Sequence, residues 1–220
     1  MPTRFFAALL VLWALQAAKG FLLPFRSEAH FWAVDLTYFV VIPLVALPIL
    51  ARLSGRPVRE LLSLRLPGKV ASWWAVTGYT LLMIVAYFAM LYVVRELAVA
   101  YPAAFAGVPS QINYGTIAAG LGPWKMAAVL YFALTASLVE EYLYRGFMGR
   151  YFLERPVPRP AIYVLVSSIL FATFHWHVGL ATVLLALGMG VVAALIVSRT
   201  RTLAPVLIAH FVVDVISFAA

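Results

Sequence analysis

The chain has 220 residues, 65% of them hydrophobic and only 11% charged, against about 45–50% and about 25% in an ordinary soluble domain. That balance excludes a water-soluble globule and leaves room for about seven membrane spans of roughly 20 residues, with little left for a separate soluble domain. The formal charge of +8 is spread over successive loops and not gathered in one arm, which argues against a nucleic-acid partner, and the absence of Cys excludes disulfides, thiolate nucleophiles, Cys metal sites and lipidation of a C-terminal Cys.

Apolar runs punctuated by Pro, Gly and charge predict an all-α polytopic membrane protein with spans near 5–24, 31–51, 71–94, 125–150, 161–177, 180–198 and 203–219. The first run, FFAALLVLWALQAAKGFLLPF, follows Arg4 and holds small residues, as a signal peptide does. Its apolar character resumes beyond Lys19 and more spans follow, so it reads as a signal anchor. The loop after the second span carries Arg52, Arg56, Arg59, Arg65 and Lys69, with Val58, Leu61, Leu62 and Leu64 set among them. This pattern suits an amphipathic segment lying against anionic headgroups, or equally a solvated connector. Arg150, Arg155 and Arg159 mark the next basic loop, and Arg199 and Arg201 the one after. With Arg4, every second loop is basic, which predicts an inward N-terminus, an outward C-terminus and an outward loop 96–124. In the sixth span Ala186, Gly190 and Ala194 recur every four residues, a stripe that lets a neighbouring helix approach closely. One transmembrane domain over residues 1–220 is expected, with three spans in residues 1–95 and a polar-motif core over about 125–217, in a cell inner or plasma membrane.

Glu28, Glu60, Glu96 and Glu154 fall in loops or at span ends, where a carboxylate costs little. Asp35, Glu140, Glu141, His175, His210 and Asp214 fall inside apolar spans. An ionised carboxylate there costs about 2.5–3.5 kcal/mol on insertion scales, so these residues are functional candidates. At 1.5 Å per helical residue, Glu140 lies about 15 Å from the inner boundary, His175 about 18 Å, His210 about 10 Å and Asp214 about 16 Å. All four can meet at one level. Glu141 and Arg145 are four apart with the acid first, the favourable order for an ion pair, while Glu140 points about 100° away on the side of Ser137 and Tyr144. Phe171 shares a face with His175, and His210 shares one with Asp214. A structural ion pair explains Glu141 and Arg145 as well as a functional role does. His177, at a span end, reads as an interfacial bystander, and Asp35 as a helix-pairing residue or a cavity liner.

Taken together, Glu140-Glu141-x-x-x-Arg145, Phe171-x-x-x-His175 and His210-x-x-x-Asp214 resemble the three signature motifs of the CAAX protease and bacteriocin-processing family, which includes the type II CAAX prenyl endopeptidases. The resemblance implies a glutamate-dependent intramembrane endopeptidase with a helical fold. Its catalytic residues would be Glu140, Glu141, Arg145, His175, His210 and Asp214, with Phe171 and Tyr144 lining the cavity. It implies a peptide or protein substrate within membrane lipid, leaves open whether that substrate carries a lipid, and calls for no cofactor or metal. The third motif ends in Asp214 where the prenyl endopeptidases resemble an Asn. A carboxylate accepts where an amide can donate, so Asp214 is expected to orient His210, and His210 itself to donate to the oxyanion.

Peptide hydrolysis needs a polar cavity, a held water, a base and an oxyanion donor. The chain has no Cys, no HExxH, no GxGD and no GxSG or GxSxG motif, which leaves water activated by a carboxylate, with Glu140 as the base and His175 holding the same water. The alternatives are a zinc hydrolase using Glu140, His175, His210 and Asp214 as ligands, and a non-catalytic scaffold or proton-coupled carrier, for which acids and histidines inside spans are equally natural. Chelation separates the first alternative from a glutamate mechanism. Repeated halves with broken helices, which the sequence does not show, would mark the carrier.

Overall fold

The computed structural model describes residues 1–22, 25, 27–66, 72–106 and 114–220. Lys69, the end of the basic loop and the middle of the loop 96–124 lie outside the described residues. Seven apolar helical segments follow in the expected order: α1 (Thr3–Leu22), α2 (Glu28–Ser54), α3 (Trp73–Ala100), α4 (Gly122–Leu153), α5 (Pro160–Phe174), α6 (Leu180–Thr200) and α7 (Ala204–Ala219). Five are long and apolar enough to cross a bilayer, while α5 and α7 are shorter. The chain is an all-α, multi-pass integral membrane protein. Among the described residues there is no strand, only an isolated bridge between Arg65 and Thr202.

Helices are the form available to these segments because a bilayer offers no partner for free backbone N–H and C=O groups. Their ends are set locally. The Ser27 and Ser72 hydroxyls accept from the amides of His30 and Ala75 and so cap α2 and α3. Gly55, at φ 72°, lets the chain leave α2 in a left-handed turn. Thr80, Ser168, Thr173 and Thr200 return their hydroxyl protons to carbonyls four residues back, which keeps these polar groups satisfied inside lipid.

Contacts between helices place the basic loops at one end of the bundle. Phe6 stacks on Tyr151, Arg56 pairs with Glu154 at 2.7 Å, and the Arg150 guanidinium donates to the carbonyls of Ser63 and Arg65. Leu61 and Leu66 are buried in the core there, whereas Val58, Leu62 and Leu64 stay exposed. The arginine-rich loop is therefore half docked and half free, which neither sequence reading described. The expected small-residue stripe is a packing seam. A Cβ at Gly190 would come within 3.0 Å of the Ser168 backbone, and Ala186 and Ala194 are buried beside it. α1 is tied into the bundle by Trp13 Nε1, which donates to the Leu170 carbonyl at 3.0 Å, and by Trp176 Nε1, which donates to Ala17 at 2.9 Å.

Two features depart from regular helices, and both border the same cavity. Wide π turns occupy Thr37–Val41 of α2 and Glu141–Phe147 of α4. Such turns are rare and gather at functional sites. α5 clasps the second one, with Ser167 donating to the Tyr144 carbonyl at 2.8 Å and Tyr163 to the Arg145 carbonyl at 3.4 Å. The other departure corrects the predicted fifth span, which was to run to residue 177. Its α-helix ends at Phe174, His175 is its C-terminal cap, and a tight turn over Trp176–Val178 leads to Gly179 at φ 107°. A side chain is strained at that φ, so the glycine permits the sharp entry into α6.

Candidate active site

A cavity of about 340 Å³ opens between α1, α2, α3, α4, α5, α6 and α7. Glu140, Glu141, Arg145, Phe171, His175, His210 and Asp214 all line it, so the three sequence motifs converge. Convergence follows from depth. α4 runs unbroken from Gly122 to Leu153, which places Glu140 near its middle, opposite the end of α5 and the second half of α7.

Glu141 and Arg145 form an ion pair at 3.1 Å with both side chains 1% exposed. The guanidinium carbon also lies 4.0 Å from the centre of the Phe171 ring, so the cation is held between a carboxylate and an aromatic face. His210 reaches across from α7. Its Nδ1 donates to Glu141 Oε1 at 2.8 Å, while its Nε2 lies 3.4 Å from Asp214 Oδ2 and 3.8 Å from Glu140 Oε2. The short contact that sets the ring thus comes from Glu141. Asp214, expected to orient the ring, stands at its other nitrogen. Phe171 is the hub of the aromatic wall, edge-on to His175 at 4.9 Å and to His210 at 6.3 Å.

His175 donates through Nδ1 to the Phe171 carbonyl at 2.8 Å. With the proton on Nδ1, Nε2 is an acceptor on a ring that borders the cavity. Capping α5 is what makes this possible, because the chain turns away after Phe174.

Tyr144 differs from its expected place. It is 1% exposed and does not border the cavity. Its ring packs 5.3 Å from Phe171 and 6.1 Å from Phe174, behind the wall. Sequence spacing alone put it beside Glu140, and the π turn intervenes between the two positions. His177 differs in the opposite sense: it is buried and lines the cavity. Asp35 lines it too, and accepts the Tyr131 hydroxyl at 2.9 Å. Lys19 was missed altogether. It had been read as a break in an apolar run, yet it is 3% exposed and borders the cavity at the end of α1. A census of buried charge that counted cations as well as acids and histidines would have found it.

Among the described residues, no group of three or more His, Asp or Glu side chains is arranged to hold a metal ion. The Glu141 carboxylate is engaged by Arg145 and His210, and the His175 ring is fixed by its bond to the helix carbonyl.

Fold and site together define a class: a helical, multi-pass membrane protein with carboxylates and histidines gathered in a cavity between its spans. Residues 122–216 match the family described as Type II CAAX prenyl endopeptidase Rce1-like, which bears out the resemblance of the three motifs to the CAAX protease family. No curated protein and no solved structure gives a match.

Proposed function

We propose that the chain hydrolyses a peptide bond inside the membrane by a water that Glu140 activates, without a metal. The observation that carries this reading is the unequal treatment of two adjacent glutamates. Glu141 is neutralised by Arg145 and holds the His210 ring, whereas Glu140 borders the cavity and its shortest ion-pair distance is 3.8 Å. One acid is spent on positioning and the other is left for chemistry.

In this mechanism the water gives one proton to Glu140 and directs the other at the free Nε2 of His175, so that an oxygen lone pair faces the substrate carbonyl. The water oxygen bonds to the carbonyl carbon as its proton passes to Glu140. His210 in its doubly protonated form donates Nε2–H to the oxygen that becomes negative, with Glu141 fixing the ring through Nδ1. Collapse of the intermediate breaks the C–N bond, and Glu140 returns its proton to the departing nitrogen. The products are an amine and a carboxylic acid, which keeps the water's second proton and releases it to solvent as it ionises. Arg145 does not touch the reacting atoms. It is a positioning residue that holds Glu141 ionised and Phe171 in place.

Glu140→Gln keeps shape and hydrogen bonding but removes the base. Cleavage of a membrane-embedded reporter peptide by the purified variant should fall by about 10³-fold, with the melting temperature and detergent elution profile unchanged, the loss being at the scale of removing a general base or more. A folded Gln variant that still cleaves near the wild-type rate would remove Glu140 from the mechanism.

A further inference from the structure

A second groove, of about 300 Å³ between α1, α2 and α4, shares α4 with the active-site cavity but uses other residues of it. Leu138, Val139, Tyr142 and Leu143 border the groove, whereas Glu140 and Glu141 border the cavity. α2 and α4 both run towards the basic end of the bundle. The groove follows them from Ile42 to Leu50 and from Leu138 to Phe147, about 12 Å at 1.5 Å per residue. Its lining is apolar apart from Gln16 and Tyr142, which donate to the carbonyls of Tyr38 at 2.8 Å and of Leu62 at 2.7 Å. The second of these bonds ties the arginine-rich loop to α4, so that Leu62 forms one end of the groove. Arg59 lies three residues before Leu62 and Arg65 three after it. Both arginines are exposed, and neither forms an ion pair among the described residues. The acids near them are already taken, Glu60 by Arg56 and Glu154 by Arg56 and Arg150. Val58, Leu62 and Leu64 are exposed in the same segment, so it presents apolar and cationic groups together.

From this geometry we infer a binding site for one anionic phospholipid, with an acyl chain lying in the groove and the phosphate facing Arg59 and Arg65 at its mouth. An acyl chain carries no polar group. An extended peptide would bring a row of N–H and C=O groups, and a lining of Leu, Ile, Val, Ala and Phe leaves them unpaired at a cost of several kcal/mol each. The direction is that of a lipid, since the groove runs along the helices and ends at the level of the basic loop. Arginine suits the headgroup, because its guanidinium can give two parallel N–H bonds to phosphate oxygens. Charge argues against a second copy of this chain as the occupant. In the same membrane it would bring the same arginines to the mouth, like charge against like. A zwitterionic lipid could lay a chain in the groove, but it would leave the two cations without a net opposite charge. Occupancy of the groove does not depend on the proposed hydrolysis.

The test is photo-crosslinking of the full chain in phosphatidylcholine nanodiscs with phosphatidylglycerol that carries a diazirine in one acyl chain. Labelled peptides are mapped by mass spectrometry. α3, whose Leu81, Leu82 and Val85 are exposed, reports the ordinary lipid surround. The segments 42–50 and 138–147 should be labelled. Unlabelled phosphatidylglycerol should compete there at least about fivefold better than phosphatidylcholine with the same chains, the scale of one basic side chain near an anionic headgroup. α3 should show no such preference. Arg59→Gln combined with Arg65→Gln changes only exposed side chains, and should abolish the preference while groove labelling persists. Ala46→Phe fills part of the groove and should lower labelling there while α3 is labelled as before. Equal competition by the two lipids at the groove overturns the site, and so does a groove labelled and competed just as α3 is, which shows a lipid surround only. A preference that survives the double arginine variant places the headgroup elsewhere and overturns it too. Groove peptides that stay unlabelled, and that a bifunctional crosslinker joins between two chains, would give the groove to a second copy instead.

Discussion

Residues 122–216, which match the endopeptidase family, and the three helices before them both border one cavity, but they border it with different chemistry. α4 and α7 present acids, a histidine and an arginine that hold one another within 4 Å, and α5 adds His175, bonded to its own helix. α1, α2 and α3 present Lys19, Asp35, Phe39, Met83 and Tyr87, of which none forms an ion pair with the acid cluster. A site whose groups bond to each other is organised before a substrate arrives. The match over residues 122–216 takes in the acid cluster and leaves out Lys19, Asp35, Phe39, Met83 and Tyr87.

This division can be broken by substitutions on either side. Arg145→Ala should have the largest effect on the molecule itself, because it strands Glu141 at 0% exposure. Breaking a buried pair by removing one partner costs about 3–5 kcal/mol. The variant should give less folded protein and a lower melting temperature in detergent, and unchanged melting would mean that the pair does not support the α4 π turn. Asp214 comes next. Asp214→Ala removes a neighbour of His210 Nε2 and should cost about 100-fold in cleavage rate, the scale of a misplaced catalytic group. Asp214→Asn keeps a polar partner at 3.4 Å and should retain most of the rate. Equal rates in Asp, Asn and Ala forms would make Asp214 a packing residue. Lys19→Met should have the smallest effect of the three. Its melting temperature should stay near that of the parent, since Lys19 has no ion-pair partner among the described residues to strand. If it unfolds the protein as Arg145→Ala does, Lys19 supports the fold as the buried ion pair does.

Much of the motif half was legible in the sequence because its constraints are local or periodic. The ion pair of Glu141 and Arg145 follows from four-residue spacing with the acid first, and it is found at 3.1 Å. The meeting of Glu140, His175, His210 and Asp214 follows from counting residues from the basic loops, since 1.5 Å per residue converts position into depth. What stayed hidden depends on departures from a regular helix or on long-range packing. The end of α5 at Phe174 has no breaker at that point in the sequence; the glycine that permits the turn comes five residues later, at Gly179. That early stop made His175 a helix cap and carried His177 into the cavity. The π turn in α4 moved Tyr144 from the expected cavity face to a buried place behind Phe171. Lys19 could be recognised as a cavity group only once Phe39, Tyr114 and Phe174, from three other parts of the chain, were seen around it.

The proposed chemistry differs most sharply from its nearest rival in its need for a metal. The decisive measurement is the initial cleavage rate of the purified wild-type protein after exhaustive treatment with EDTA and with 1,10-phenanthroline, alongside Glu140→Gln under the same conditions. Hydrolysis by a glutamate-activated water predicts an unchanged wild-type rate and a Gln variant about 10³-fold slower. A wild-type rate that collapses under chelation and returns on adding Zn²⁺ would contradict it, and would make Glu140, His175, His210 and Asp214 metal ligands instead.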